Sequence, residues 1–321
     1  MNTNLIGTDI DRAAAALAAR QLVGIPTETV YGLAANALNP EAVAKIFAAK
    51  QRPSFDPLIV HLAHLDQLRQ YARQLPVNAR QLAESCWPGP LTLVVKRQAV
   101  IPDIVTSGLD TVALRLPRHP LTRALLAQLD FPLAAPSANP FGYISPTRPE
   151  HVAAQLGEAV AYILDGGPCE VGLESTIVSF AGPKPQLLRA GGYAQEELEQ
   201  ILGQPLERNT FSSSNPRAPG MLAQHYSPAT PLRLAEAYAT QAPLAKRIAY
   251  LQFRADQAAP KWATKCFALS DSGNLAQAAA QLFSLLRTLD AADYDLIVAE
   301  KVPEVGLGRA INDRLTRAAA R

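Results

Sequence analysis

The sequence predicts an α/β protein, with a twisted, mixed sheet over its first two-thirds and a second, smaller α/β unit at its end. Three observations carry that prediction. Short apolar runs alternate with helix-period segments up to about Gln204. Polar signatures fall at the ends of the strand-like runs and in the loops just beyond, where α/β sites usually lie. A Ser-, Pro-, Asn- and Gly-rich stretch, 208–231, then interrupts the pattern before it restarts. The organisation that follows is a first domain over 1–207, a linker or long ordered loop over 208–231, and a C-terminal domain over 232–321.

The elements follow in order. A helix pattern at 10–21 leads to the apolar run Leu22-Val23-Gly24-Ile25 and then to PTETVYGL. Residues 39–49 read as a helix: Asn39 can cap it, Pro40 suits its first position, and Val43, Ile46 and Phe47 form its apolar face. PLIVHL reads as a strand, 65–75 as a helix, and a further helix runs up to Cys86. After Trp87-Pro88-Gly89-Pro90 come the strands LTLVVKR and TVALRLP, a helix at 121–129 and the apolar run FPLAAPSAN. A helix around 149–156, the strand AYILDGG and a strand pair, STIVSF and QLLRAG, complete the first domain. Beyond the linker, KRIAYLQF, KCFALS and DLIVAEKV read as strands, with helices at 274–289 and 308–320. This small α/β module is within the usual size of an independent domain.

Composition narrows the class. Hydrophobic residues at 48% with 18% charged are ordinary for a soluble globular chain, and 26 prolines imply many fixed loops. A formal charge of +2 exerts no strong pull toward nucleic acid or membrane, so any RNA contact is local. Cys86, Cys169 and Cys266 lie far apart without CxxC spacing, which argues for a reducing compartment and against a disulfide framework or a zinc site. With no apolar h-region at the N-terminus and no run approaching a membrane span, the expectation is a cytosolic protein with no membrane partner.

Two polar clusters then stand out. Lys50-Gln51-Arg52 lies in KQRPSFDPL and Ser137-Ala138-Asn139 in APSANPFGYISPT, both in loops punctuated by proline. A guanidinium fork, an ammonium, a hydroxyl and an amide together suit a polyphosphate. Taken alone, a Lys-x-Arg is also a solvated surface pair and a Ser-x-Asn also ordinary turn chemistry. Thr27, Glu28, Thr29 and Tyr31 crowd behind a strand, where hydroxyls bind a small polar ligand or satisfy a turn. Alternation along TVALRLP puts Arg115 on one face with Ala113 and Pro117, opposite Leu114 and Leu116. A half-buried arginine needs an anion there, either an internal carboxylate or a ligand. His61 in PLIVHL, also strand-like, reads more readily as a satisfied core histidine than as a catalyst. Glu174, Ser175 and Thr176 precede a strand, and Gly191-Gly192 follows Arg189 where backbone can approach a phosphate or simply turn.

The dinucleotide fingerprint GxGxxG, the P-loop, GxSxG and HExxH do not occur, and the five histidines form no triad spacing. A site of cations, hydroxyls and backbone amides works by positioning and charge stabilisation, which is what phosphoryl or nucleotidyl transfer asks of a protein.

In this order PTETVYGLAANA, KQRPSFDPLIVHL, WPGPLTLVV, TVALRLP, APSANPFGYISPT, DGGPCEVGLESTIV and LLRAGG resemble the motifs of the YrdC-like family, and the tail resembles the C-terminal domain of its two-domain members. The resemblance implies a twisted α/β sheet with a concave, positively charged cavity, followed by a small Rossmann-like α/β domain. It implies synthesis of L-threonylcarbamoyladenylate and pyrophosphate from L-threonine, bicarbonate and ATP. The product would serve threonylcarbamoyl modification of the adenosine beside the anticodon in tRNAs reading ANN codons, through a separate transferase of the Kae1/TsaD type. Direct tRNA contact is open on this reading.

Carried over by motif, the family's Lys-x-Arg and Ser-x-Asn pairs fall on Lys50, Arg52, Ser137 and Asn139. The threonine side falls on Thr29, His61, Arg115, Ala135 and Ser175. The nucleotide side falls on Arg52, Asp56, Thr111, Ser137, Ser145, Arg189 and Tyr226. Lys50 and Arg52 would neutralise the triphosphate, with Mg²⁺ expected on the ATP phosphates rather than in a protein cage. PGMLAQHYSP, 219–228, resembles the linker motif with which two-domain members close over the cavity. Asp56 stands where the family usually has asparagine, Phe141 where it has a small serine, and Ala190 where it has proline. Two other classes fit parts of the pattern. One is an RNA-binding or ribosome-maturation protein using the cavity as a basic cradle. The other is a carbamoyltransferase of the hydrogenase-maturation kind, whose zinc-finger and acylphosphatase-like segments are not seen here.

Overall fold

The structure, a computed structural model, describes residues 5–209, 218–222, 225–238 and 247–320. The serine run 212–214, the start of KRIAYLQF and part of the linker motif lie outside the described residues.

The first domain is built on one mixed sheet. Across it the strands run Ile6–Gly7, Tyr162–Leu164, Val23–Ile25, Gly32–Asn36, Leu133–Ala134, Ile59–His61, Thr111–Arg115, Leu91–Arg97, Thr176–Ser179, Gln186–Arg189 and Glu207–Arg208. Ile59–His61 pairs parallel with Thr111–Arg115, and Leu91–Arg97 pairs parallel with Thr176–Ser179. The expected pair Thr176–Ser179 and Gln186–Arg189 is antiparallel, as its short connection requires. Central strands such as Leu91–Arg97 are buried over most of their length because helices and loops cover both faces.

Local chemistry sets the helix that matters most. Asn39 accepts the Ala42 amide and Pro40 opens helix Pro40–Lys50, as its sequence predicts. Gln51 closes it in the left-handed region, φ 51°, and the Arg52 amide donates back to the Phe47 carbonyl at 3.0 Å. This turn puts Lys50 on the carbonyl end of the helix, which favours a cation, and throws Arg52 onto the following loop.

Two readings of the sequence change. The segment 65–75, expected as one helix, forms a 3₁₀ turn Leu65–Gln67, a single turn Leu68–Tyr71 and then a strand, Ala72–Gln74. That strand pairs with the end of Leu91–Arg97, so tertiary pairing overrides local helix preference. Gly32–Asn36, given no element of its own from the sequence, is a strand joining Val23–Ile25 to Leu133–Ala134.

The C-terminal domain has four parallel strands in the order Leu232–Leu234, Leu296–Ala299, Ile248–Arg254, Lys265–Ser270. Helices Leu275–Asp290 and Gly308–Ala318 cover it, the first capped by Asn274. One apolar cluster crosses between the domains, joining Val30, Ile144 and Leu173 to Tyr226, Leu282 and Phe283. Polar contacts reinforce it: Arg287 donates to the carbonyls of Ser145 and Ile144 and, at 2.9 Å, to Gln155 Oε1. The three cysteines are free thiols. No helix among the described residues is long and apolar enough to cross a membrane.

The docking leaves no room at Gly172, φ 72°, where a Cβ would lie 2.5 Å from Ala280 Cα on helix Leu275–Asp290. Gly167 has the same backbone, φ 71°, in open space. Gly167→Ala should therefore lose only the left-handed strain, about 1 kcal/mol. Gly172→Ala should lose about 2 kcal/mol or more beyond that by pushing the domains apart. Denaturant unfolding of both variants checks this, and equal losses would contradict the docking.

Candidate active site

Parallel pairing assembles the floor. Register puts His61 opposite Arg115, and Leu133 lies opposite His61 on the other side. Ala135, one residue past its strand, donates its amide to the Ile59 carbonyl at 3.0 Å. The strand ends thus converge on one point, as open α/β sheets do at their binding sites. Alternation holds as the sequence implies: Ala113 packs with Ile59, Val94 and Ile177 on the face of Arg115, and Leu114 and Leu116 enter the core opposite.

Around this floor lies a narrow, partly open cavity of about 40 Å³. All five residues of the threonine set, Thr29, His61, Arg115, Ala135 and Ser175, line it. So do Arg52, Ser137, Arg189 and Tyr226 of the nucleotide set. The cover comes from the linker: Pro219, Gly220, His225 and Tyr226. The other expected residues stand outside the lining. Lys50 is buried, with Nζ donating to the carbonyls of Ser137 (2.6 Å) and Asn139, so it clamps the loop that carries Ser137. Asn139 donates its side-chain amide to the carbonyls of Pro140 and Tyr143, holding the same loop from within. Asp56 pairs with Arg52 at 2.9 Å. Ser145 donates to Glu174 Oε1 at 2.5 Å. Thr111 heads the strand of Arg115, on the same face but roughly 13 Å away.

The electrostatics are lopsided. Among the described residues the buried Lys, Arg, Asp and Glu side chains are five cations, Lys50, Arg52, Arg115, Arg189 and Arg314, and three carboxylates, Glu28, Asp56 and Glu174. Arg52, Arg115, Glu174 and Arg189 line this cavity, and the other four each touch a lining residue. Counted as formal charges, the eight carry an excess of two positive charges. Burial, and then Arg52, lowers the Lys50 ammonium well below its ordinary value, and the partly exposed Asp313 pairs with Arg314. Arg115 resolves its two readings partly toward an internal partner: one terminal nitrogen donates to Glu28 Oε1 at 2.7 Å, while Nε is buried without a partner. Burial alone would raise Glu28, but the Arg115 charge and hydrogen bond, with the Arg118 amide, hold it below the ordinary carboxylate value. Arg189 has no carboxylate of its own and donates to the carbonyls of Ser175 and Pro219.

The same field acts on the histidines. Burial, and then Arg115, pushes His61 down to about 3. Burial followed by Arg52, Lys50, Arg314 and Arg189 holds His225 well below its ordinary value. Both rings leave Nδ1 buried without a partner, and the Tyr226 hydroxyl is likewise unpartnered. Buried polar atoms without partners are uncommon, and here four of them border one cavity. Tyr226 also takes a left-handed backbone, φ 63°, a strained position for a bulky residue.

Three participants escaped the sequence reading. Glu28 was one of a crowd of polar residues, and nothing local marks it as the partner of Arg115. Glu174 reads as a turn residue. Arg314 carries a signal that was available: it interrupts the apolar stripe Ile311, Leu315, Ala318 of the closing helix.

The comparisons with known proteins bear on this geometry. The Sua5/YciO/YrdC family model, described as "Telomere recombination", matches residues 15–191. A second, described as "Threonylcarbamoyl-AMP synthase, C-terminal domain", matches residues 193–320. The chain is 41% identical to the threonylcarbamoyl-AMP synthase of Bacillus subtilis, over 97% of this chain and 92% of that protein. It is 39% identical to the threonylcarbamoyl-AMP synthase of Pyrococcus abyssi, over 93% of this chain and 90% of that protein. The crystal structure of P. abyssi Sua5 complexed with L-threonine superposes with a TM-score of 0.89 at 36% identity, covering 98% of this chain and 96% of that one. With both halves matched and relatives aligned over nearly its whole length, the chain belongs to the Sua5/YciO/YrdC family, in the two-domain form that carries the threonylcarbamoyl-AMP synthase C-terminal domain.

Proposed function

We propose that this protein condenses L-threonine, bicarbonate and ATP into L-threonylcarbamoyladenylate and pyrophosphate. The observation that carries the reading is the buried excess of two positive charges around a cavity whose relative in P. abyssi is a threonine complex. Uncompensated buried cations are costly, and an anionic ligand is what compensates them. A triphosphate and an amino acid carboxylate supply that charge.

On this reading Arg115 receives the threonine carboxylate through its open Nε, with Thr29 and Ser175 orienting the polar groups. The neutral amine of threonine takes up carbon dioxide derived from bicarbonate, giving a carbamate. A carbamate oxygen then attacks the α-phosphorus and pyrophosphate leaves. Arg52 and Arg189 meet the charge on the phosphates, while Lys50 keeps the Ser137 loop in place beneath them. His61 is neutral at working pH and contributes a hydrogen-bonding ring rather than a charge. No group of three or more His, Cys, Asp or Glu among the described residues could hold a metal ion. Mg²⁺ on this reading enters on the ATP phosphates as part of the substrate.

On this reading Pro219, Gly220, His225 and Tyr226 move aside to admit ATP to the narrow cavity of about 40 Å³ and return to keep water from the adenylate. The RNA-binding reading is not favoured, because these cations face inward and not an outer surface a nucleic acid could reach. The adenylate would pass, in the cytoplasm, to a Kae1/TsaD-type transferase acting on tRNA.

Two outcomes test the reading. Pyrophosphate release should require threonine and bicarbonate together, and Arg115→Gln should raise the KM for threonine about 10- to 100-fold while leaving that for ATP near wild type. Release indifferent to threonine would overturn it. The second concerns pH. Because the folded pKa of His61, about 3, lies below that of the unfolded chain, its neutral form is fully favourable above about pH 6.5 and stability is lost as pH falls toward 3. Between pH 7 and pH 5 that loss is about 2 kcal/mol for this residue. Urea unfolding at both pH values should show the difference shrink by about this amount in His61→Gln, and an unchanged difference would contradict the buried neutral ring.

A further inference from the structure

The C-terminal domain supplies a charge to the cavity that none of the motif residues provides. Arg314 lies on helix Gly308–Ala318 and is completely buried. Its Nε donates to Glu174 Oε2 at 2.9 Å and one terminal nitrogen donates to Asp313 Oδ2 at 2.8 Å. The guanidinium also lies over the Tyr226 ring, 5.1 Å from its centroid. Glu174 and Tyr226 are both cavity-lining residues, one from the first domain and one from the linker. A single side chain from the third segment of the chain therefore touches both.

The surroundings make this contact a fixed one. Glu174 is held on its other oxygen by the Ser145 hydroxyl, and its own carbonyl accepts the Gly192 amide at 2.9 Å. Tyr226 stacks on Phe283 of the C-terminal domain with centroids 5.5 Å apart. One turn beyond Arg314, Arg317 donates to the Leu222 carbonyl and its own carbonyl accepts the His225 amide at 3.4 Å, so the same helix also holds the linker just before Tyr226.

We infer that Arg314 is a positioning residue for adenylate formation: it neutralises Glu174 and backs Tyr226, so that the cavity keeps its positive excess and its cover only while the C-terminal domain is docked. The inference rests on the synthase reading for the reaction, but not for nucleotide binding. Its charge logic is specific. Removing Arg314 reduces the buried excess from two positive charges to one and leaves the Glu174 carboxylate facing the phosphates. Replacing Glu174 by glutamine in the same chain restores the excess to two.

The test measures binding of Mg²⁺ with the ATP analogue AMP-PNP by calorimetry, without threonine or bicarbonate because its α–β bond is still cleavable, beside threonine-dependent pyrophosphate release from ATP, for the full chain. Arg314→Met should weaken AMP-PNP binding about 10-fold or more. Arg314→Met with Glu174→Gln should bind within about threefold of wild type, although it lacks more native contacts. Arg314→Lys, which keeps the charge and loses the guanidinium over the Tyr226 ring, should fall between them, and it carries the test should Arg314→Met not fold. A double variant no better than Arg314→Met, or an Arg314→Lys as weak as a neutral replacement, would reduce Arg314 to a packing residue and overturn the inference. Wild-type protein that binds AMP-PNP with this pattern but releases no pyrophosphate would sustain Arg314 and sink the synthase reading. Wild-type protein that binds no AMP-PNP would sink both.

Discussion

Five buried cations facing three buried carboxylates is the constraint on which the rest of this structure depends. Such an imbalance opposes folding, since each guanidinium or ammonium loses its hydration without a full charge in exchange. The chain limits the cost with neutral acceptors. Lys50 is met by two loop carbonyls, Arg52 by the carbonyls of Asp56 and Pro57 besides the Asp56 carboxylate, and Arg189 by the Ser175 and Pro219 carbonyls. Carbonyl oxygens hold a cation in place without cancelling its charge. The residual field remains available to an anionic ligand, and it adds to burial in lowering His61 and His225.

The architecture serves that field. Strand register brings His61, Arg115 and Ala135 to one point, and the closing turn of helix Pro40–Lys50 divides its two cations between clamping a loop and lining the cavity. The linker and C-terminal domain then bury these side chains, which raises the worth of every remaining charge. The apolar cluster shared by Val30, Leu173, Tyr226 and Phe283 makes this cover part of the core and not an appendage. A two-domain chain is thus one site built from three segments.

Much of this was legible in the sequence, for physical reasons that differ by residue. Asn39 and Pro40 mark their helix because capping chemistry is local. Arg115 announces itself because a guanidinium in an alternating apolar strand must meet an anion. Tyr226 stands out because it lies in a proline-bounded stretch within a linker. The partner of Arg115 was not legible: Glu28 is 87 residues away, and only the fold joins them. The same holds for Arg314 and Glu174, 140 residues apart. Strand Ala72–Gln74 was misread as helix because its pairing with Leu91–Arg97 is nonlocal. Lys50 was read correctly as a member of the cationic cluster, yet the sequence could not tell that its ammonium faces carbonyls, since that depends on where the 137–139 loop returns.

The central claim is that a single cavity, shared between the two domains and the linker, takes both substrates. A crystal structure of the protein with L-threonine and an ATP analogue tests it most directly. The account predicts the threonine carboxylate within hydrogen-bond distance of Arg115 Nε, the phosphates against Arg52 and Arg189, and Tyr226 over both. A nucleotide bound instead in the separate interdomain cleft of about 250 Å³ lined by Arg208 and Arg309, with the central cavity unchanged, would contradict it.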